Sequence, residues 1–219
     1  MDRIEIEATL NKDRAWLLET FAVLSPDDLT RGVTPSEHDP NSRWSPKDHL
    51  AHLTGIERNF NGMIRRHVAG DANPVGLLKD ANGKPRTREE IMVQVHTMNE
   101  AWVLDYRPKS LSEVVALGQG ARAETLALLS ELTDAQLAEK LPGAPWADGT
   151  IGGVLATNAA HGRMHWGWIA PIILGVSIRR RCHAHPVPRT AAYWAAEVAS
   201  EREGPVVKNP TTGTAGQTA

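Results

Sequence analysis

The sequence predicts an all-α fold, a four-helix bundle with an extra crossover helix and a flexible C-terminal tail, and three observations carry that reading. Apolar residues recur at three-, four- and seven-residue steps through most of the chain. Capping boxes recur as well: Thr87 with Glu90, Ser110 with Glu113 and Thr133 with Gln136. Alternating runs of Val, Ile and Thr, the mark of half-buried strands, are almost absent. Long amphipathic helices must each bury one face, and packing four of them together is the simplest solution.

The first helix runs from about Asp2 to Leu24, with Ile6, Leu10, Leu17, Phe21 and Leu24 on one seam, and Ser25-Pro26 stops it. A polar loop from Asp27 to Arg43 leads to Trp44-Ser45-Pro46-Lys47-Asp48. There Ser45 caps, Pro46 takes the first helical position and Asp48 faces the positive end of the helix dipole. This second helix reaches about Ala69 and ends at Gly70-Asp71, and a long surface loop follows to Arg86. The Thr87 box opens a helix through Ile91, Val95, Met98 and Trp102 that Pro108 ends. Ser110 opens the next, through Leu117, Ala121, Leu128 and Leu132, and Thr133 opens a short one to about Lys140. The last helix, from about Thr150 to Leu174, carries Gly152, Gly153, Ala156, Ala159, Ala160 and Gly162, small residues that let backbones approach closely. That composition predicts it to be the central, most buried helix. Residues 1–175 thus form the bundle domain and 176–219 a C-terminal extension that is partly disordered, with Arg179-Arg180-Arg181, a helical candidate from Thr190 to Glu203 and a Pro-, Gly-, Thr- and Gln-bearing end.

Composition removes several function classes. With 24 Lys and Arg against 26 Asp and Glu, the formal charge is −2, and no basic field exists to bind nucleic acid or an anionic membrane. The single cysteine, Cys182, forms neither an intrachain disulfide nor a thiolate zinc cluster, and the N-terminus has no apolar signal core, so a cytoplasmic setting is expected. The longest apolar run, Met164 to Val176, contains Pro171 and is too short for a bilayer core of about 30 Å. Any metal must therefore be held by His or carboxylate. Seven Trp outnumber two Tyr and two Phe combined, so indoles line the core or a pocket.

Imidazoles are where chemistry concentrates. His161-Gly162-Arg163-Met164-His165 places two rings four residues apart, on one helix face with Cβ atoms about 5–6 Å apart. That spacing suits two ligands of one ion, and a further ligand must come from another helix. His49 and His52 of the second helix both fall on the stripe with Leu53, Ile56, Phe60 and Met63, and the helical wheel does not choose between them. The ordinary alternative is a set of hydrogen-bonded core histidines. Because residue 162 is Gly, the His-Glu-x-x-His base of a metalloprotease is missing.

Trp44-Ser45-Pro46-Lys47-Asp48-His49-Leu50-Ala51-His52-Leu53, followed about a hundred residues later by His161-x-x-x-His165, resembles the DinB-like superfamily of four-helix bundle metalloproteins. The segments Asn99-Glu100-Ala101-Trp102, Leu111-Ser112-Glu113-Val114 and Leu129 to Leu137 are similar to the ClbS/DfsB group within it. The resemblance implies a metal triad of one His near the start of the second helix and a His-x-x-x-His pair on the fourth, hence His52, His161 and His165. It also implies a divalent ion such as zinc or nickel, a frequent homodimer, and in some members a low-molecular-weight thiol such as mycothiol or bacillithiol. Activities implied are uneven: thiol-dependent transferases or isomerases, self-resistance proteins, and members without known activity.

Two flanking residues, Asn158 and Trp168, lie three positions before His161 and after His165, where an amide and an indole can contact a small-molecule substrate. Core packing is their ordinary role. Glu57 lies about 140° round the helix from His52 and reads as surface charge, and Arg163 points away from the His face. His38, His67 and His96 have no partner spacing, and His183 and His185 beside Cys182 read as a solvated tail. The expected function is hydrolysis or thiol conjugation of a reactive electrophilic metabolite at a three-His site, with no catalytic base assignable. The alternatives are a resistance protein that sequesters a small molecule, and a scaffold acting through its tail.

Overall fold

Caps set where the helices begin. In the computed structural model, which describes residues 2–36, 38–80 and 82–175, reciprocal capping boxes open five helices: Asp2 with Glu5, Ser45 with Asp48, Thr87 with Glu90, Ser110 with Glu113 and Thr133 with Gln136. Each satisfies backbone N–H groups that the first turn leaves orphaned, worth about 1 kcal/mol apiece. The order is α1 (Arg3–Ala22), α2 (Pro26–Thr30), β1 (Thr34–Pro35), β2 (Arg43–Trp44), α3 (Pro46–Val68), α4 (Arg88–Tyr106), α5 (Leu111–Glu131), α6 (Asp134–Ala138) and α7 (Ile151–Ile173).

The bundle is α1, α3, α5 and α7: α3 packs on α5 and α7, and α1 packs on α7 and α5. Helix α4 is the crossover, resting on α3 and burying only Glu100, Val103 and Tyr106. One apolar set gathers Ile6, Leu10, Phe60, Met63, Ile64, Leu129 and Leu155, and a second gathers Leu17, Phe21, Leu50, Leu53, Val114 and Ile169. Burying such side chains stabilises by about 1.5–3 kcal/mol each. Along α3 the two sets are separated by a polar level at Glu57, described below.

Two expectations need correction. The central helix is α3, which buries 15 of its 23 residues against 10 of 23 on α7. Small residues on α7 report close approach instead: a Cβ on Gly162 would lie 3.2 Å from Leu17 Cδ1 of α1. The loop from Asp27 to Arg43 contains structure, because Ser25, just past the Val23 C-cap of α1, caps α2, with Pro26 at the first turn and Leu29 buried. Beyond it Thr34 pairs with Trp44 and Pro35 with Arg43 in a small antiparallel hairpin. As expected, α7 runs through Pro171 and ends close to Leu174. No helix among the described residues is long and apolar enough to cross a membrane. The C-terminal extension, 176–219, with the Arg179–Arg181 run, Cys182, His183, His185 and the helical candidate, lies outside the described residues.

Candidate metal centre

Helix α3 brings His49 and His52 into the bundle within its first two turns, and three contacts fix that start. Asp48 closes the capping box, Arg107 at the end of α4 pairs with the Asp48 carboxylate at 3.3 Å, and Lys47 Nζ donates to the carbonyls of Arg107 and Lys109 at 2.9 and 2.8 Å. Helix α7 supplies His161 and His165 one turn apart, with Gly162 between them against α1.

The rings of His52, His161 and His165 converge, with ligand atoms all within 4.8 Å of one another. The Nε2 atoms of His161 and His165 are 3.1 Å apart, and the His52 ring centroid lies 5.4 Å from that of His161 and 4.8 Å from that of His165. A tetrahedral ion bound at about 2.0–2.1 Å spaces its nitrogen ligands by about 3.4 Å, so this separation fits a shared ion. His52 Nδ1 is buried and has no hydrogen-bond partner among the described residues. Such an orphan costs about 1–3 kcal/mol unless something binds it. His49 stands behind the triad, its Nδ1 2.6 Å from His165 Nδ1 and its Nε2 2.8 Å from Thr34 Oγ1.

Electrostatics keep these rings in the form a metal needs. Burial pushes His49 down to about 3 and His161 to about 4, and it holds His52 and His165 well below the ordinary imidazole value. Neighbouring imidazoles lower His49, His52 and His165 further. A neutral imidazole keeps one lone pair to donate, and deprotonated ligands are what metal binding requires.

Indoles wall the site. Trp44 lies 5.2 Å from His52, Trp102 6.5 Å from His52 and Trp168 4.7 Å from His165, centroid to centroid. Gly55 admits Trp102, whose Cδ2 would be 2.6 Å from a Cβ at that position. Trp44 is held in turn by Glu100 of α4, which accepts from Trp44 Nε1 at 2.8 Å and from Ser36 Oγ at 2.6 Å. The buried Glu100 carboxylate thereby pins the β1–β2 hairpin over the histidines.

Comparison with known proteins agrees with this architecture. The family model of the DinB superfamily matches residues 36–169, a span that contains His49, His52, His161 and His165. The chain belongs to the DinB superfamily. A solved structure of an uncharacterised protein from Escherichia coli UTI89 has a similar fold, with a TM-score of 0.50 over 76% of this chain and 90% of that one, at 21% identity. No curated protein matches the chain.

Within this DinB-superfamily bundle the other sequence candidates take distinct places. Trp168 is 36% exposed and covers His165 at the solvent side. Asn158 is buried and lines a small cavity with His161, Arg14, Glu57 and Arg122, its Nδ2 without a hydrogen-bond partner among the described residues. Arg163 leaves the site, pairing with Asp13 at 2.5 Å over the Trp16 ring. His67 meets Glu139 at 3.2 Å on the surface, and His38 lies 3.5 Å from Thr97 Oγ1. Glu57 corrects its expected surface role: it is 2% exposed and accepts from Arg122 Nε at 2.6 Å, Thr125 Oγ1 at 2.9 Å and Arg14. Its place on the wheel away from His52 points it into α1 and α5, not into water. Sequence reading missed Thr34, Glu100 and the role of His49, and only His49's position on the apolar stripe signalled it.

Proposed function

We propose that the chain is a metal-dependent small-molecule enzyme in which His52, His161 and His165 hold one divalent ion, zinc or nickel, and in which a reactive electrophile is hydrolysed or joined to a thiol. The observation that supports this best is the convergence of three buried, neutral imidazoles from two helices, one with an orphaned ring nitrogen. When bound, such an ion supplies Lewis acidity and lowers the pKa of a water or thiol in its open position. The chain's own contribution is a dry, shaped surround. Trp44, Trp102 and Trp168 offer apolar faces for the body of a substrate and keep bulk water from the imidazoles. Trp168, at the solvent side, and Asn158, through its uncommitted amide, are the side chains assigned to substrate. A low-molecular-weight thiol such as mycothiol or bacillithiol is the cosubstrate of the thiol branch.

A panel of epoxides, activated esters and maleyl-type alkenes, incubated with and without thiol, tests this reading. Turnover that a chelator abolishes and added zinc or nickel restores is the expected result. Stoichiometric binding without turnover, unchanged by chelator, would replace it with sequestration.

A further inference from the structure

We propose that His49 is the positioning residue of this centre: it receives the Nδ1 proton of His165, so that His165 Nε2 faces the ion, and Thr34 Oγ1 accepts the Nε2 proton of His49 in turn. The inference rests on the three-His metal reading above and adds a residue outside the triad.

Proton counting sets the direction of the chain. Two ring nitrogens 2.6 Å apart, His49 Nδ1 and His165 Nδ1, share one hydrogen, because two lone pairs or two N–H groups at that distance repel. His165 Nε2 is the nitrogen next to His161 Nε2, at 3.1 Å, and must present a lone pair if it is a ligand. The proton of the neutral His165 ring is therefore on Nδ1 and is donated to His49 Nδ1. His49, neutral as well, carries its own proton on Nε2 and donates it to Thr34 Oγ1 at 2.8 Å. Each ring has one donor and one acceptor, and both are used. Metal-ligating histidines ordinarily give their second nitrogen to a carboxylate, a carbonyl or water. Here a second imidazole takes that place, which holds the ligand without adding negative charge to the buried site.

The surrounding structure holds this arrangement in register. His49 is 1% exposed, Trp44 packs edge-on against it at 5.5 Å, and Thr34 sits on β1 opposite Trp44 of β2. Glu100 anchors that hairpin through Ser36 and Trp44. The small hairpin thus has a mechanical role, as the far support of a metal ligand.

The test is Zn²⁺ affinity by competition with a chromophoric chelator, in the full chain and in His49→Phe, His49→Asn, Thr34→Val and His52→Ala, each checked for its helical spectrum. His49→Phe keeps the ring shape and loses the acceptor, and about a 10–100-fold weaker affinity at unchanged stoichiometry is expected. Asn places an oxygen near the former Nδ1, so His49→Asn should recover most of that loss and remain the informative variant if Phe misfolds. Thr34→Val should weaken binding by a smaller factor. Imidazole ¹⁵N shifts should show His165 protonated at Nδ1 and His49 at Nε2. Unchanged affinity in both His49 variants, or the opposite tautomers, would overturn the positioning role while the metal reading stands. Loss of the ion from His49→Asn as complete as from His52→Ala would make His49 a ligand and overturn it too. A full chain that takes up no Zn²⁺ would instead overturn the metal reading, and this inference with it.

Discussion

Helix α3 carries two buried polar regions little more than a turn apart, and they are built on opposite terms. At Glu57 charges are paired: one carboxylate accepts from two guanidinium groups, Arg14 and Arg122, and from Thr125, to which Asn61 Nδ2 donates at 3.0 Å. At His52 there is no charge to complete. Four imidazoles, His49, His52, His161 and His165, face mainly one another, every one held neutral by burial, and His52 Nδ1 has no partner among the described residues. An ion-paired network ties α1, α3 and α5 together, with Arg14 Nε left without a hydrogen-bond partner among the described residues. A neutral set with lone pairs unspent is suited to hold something. Both regions are buried and each leaves a polar atom unpaired, so what separates them is charge: ion pairs hold the first together, while the second gathers neutral lone pairs.

The sharpest way to break the comparison is to remove the carboxylate that holds the two arginines of the first region. Glu57→Ala strands two guanidinium groups in the interior and should cost about 3–5 kcal/mol in chemical denaturation. In the folded fraction metal stoichiometry should not change, because no triad ligand is touched. A loss below about 1 kcal/mol would mean that water reaches the arginines and that the network is not structural.

Acid should act on the second region. Unfolded imidazoles titrate near 6.5, whereas in the fold His161 titrates at about 4 and His49 at about 3. The unfolded chain therefore takes up protons first as pH falls. Stability is complete above the unfolded value and is lost progressively down to the folded ones, roughly 2–3 kcal/mol for each of these two rings by about pH 4.5 in the metal-free protein. His161→Phe should flatten its share of that slope. Stability that is flat between pH 7 and 5 would show the rings to be solvated, and the contrast between the regions would fail.

How much of this was legible in the sequence follows from the range of each signal. Thr87 with Glu90, Ser110 with Glu113 and Thr133 with Gln136 are three-residue devices, and the helices begin where these boxes place them. The four-step spacing of His161 and His165 is equally local. Glu57 was misread because its partners, Arg14 and Arg122, arrive from α1 and α5, and a wheel drawn for α3 alone records only an angle from His52. His49 and His52 share one stripe, and what separates them is tertiary: His49 meets Thr34 and the far nitrogen of His165, while His52 closes the triad. The hairpin escaped notice because two-residue strands leave no alternation to detect. Small residues on α7 predict centrality, yet Gly152 and Gly162 record where α6 and α1 come close.

Metal content is the most direct test of the central claim. The full chain, purified without tag or chelator, would be measured by elemental analysis beside His52→Ala and the double variant His161→Ala/His165→Ala. About one divalent ion per chain, lost in both variants while the helical spectrum persists, is the result this account predicts. A full chain that holds no ion, and takes up none when zinc, nickel or manganese is supplied, would contradict it.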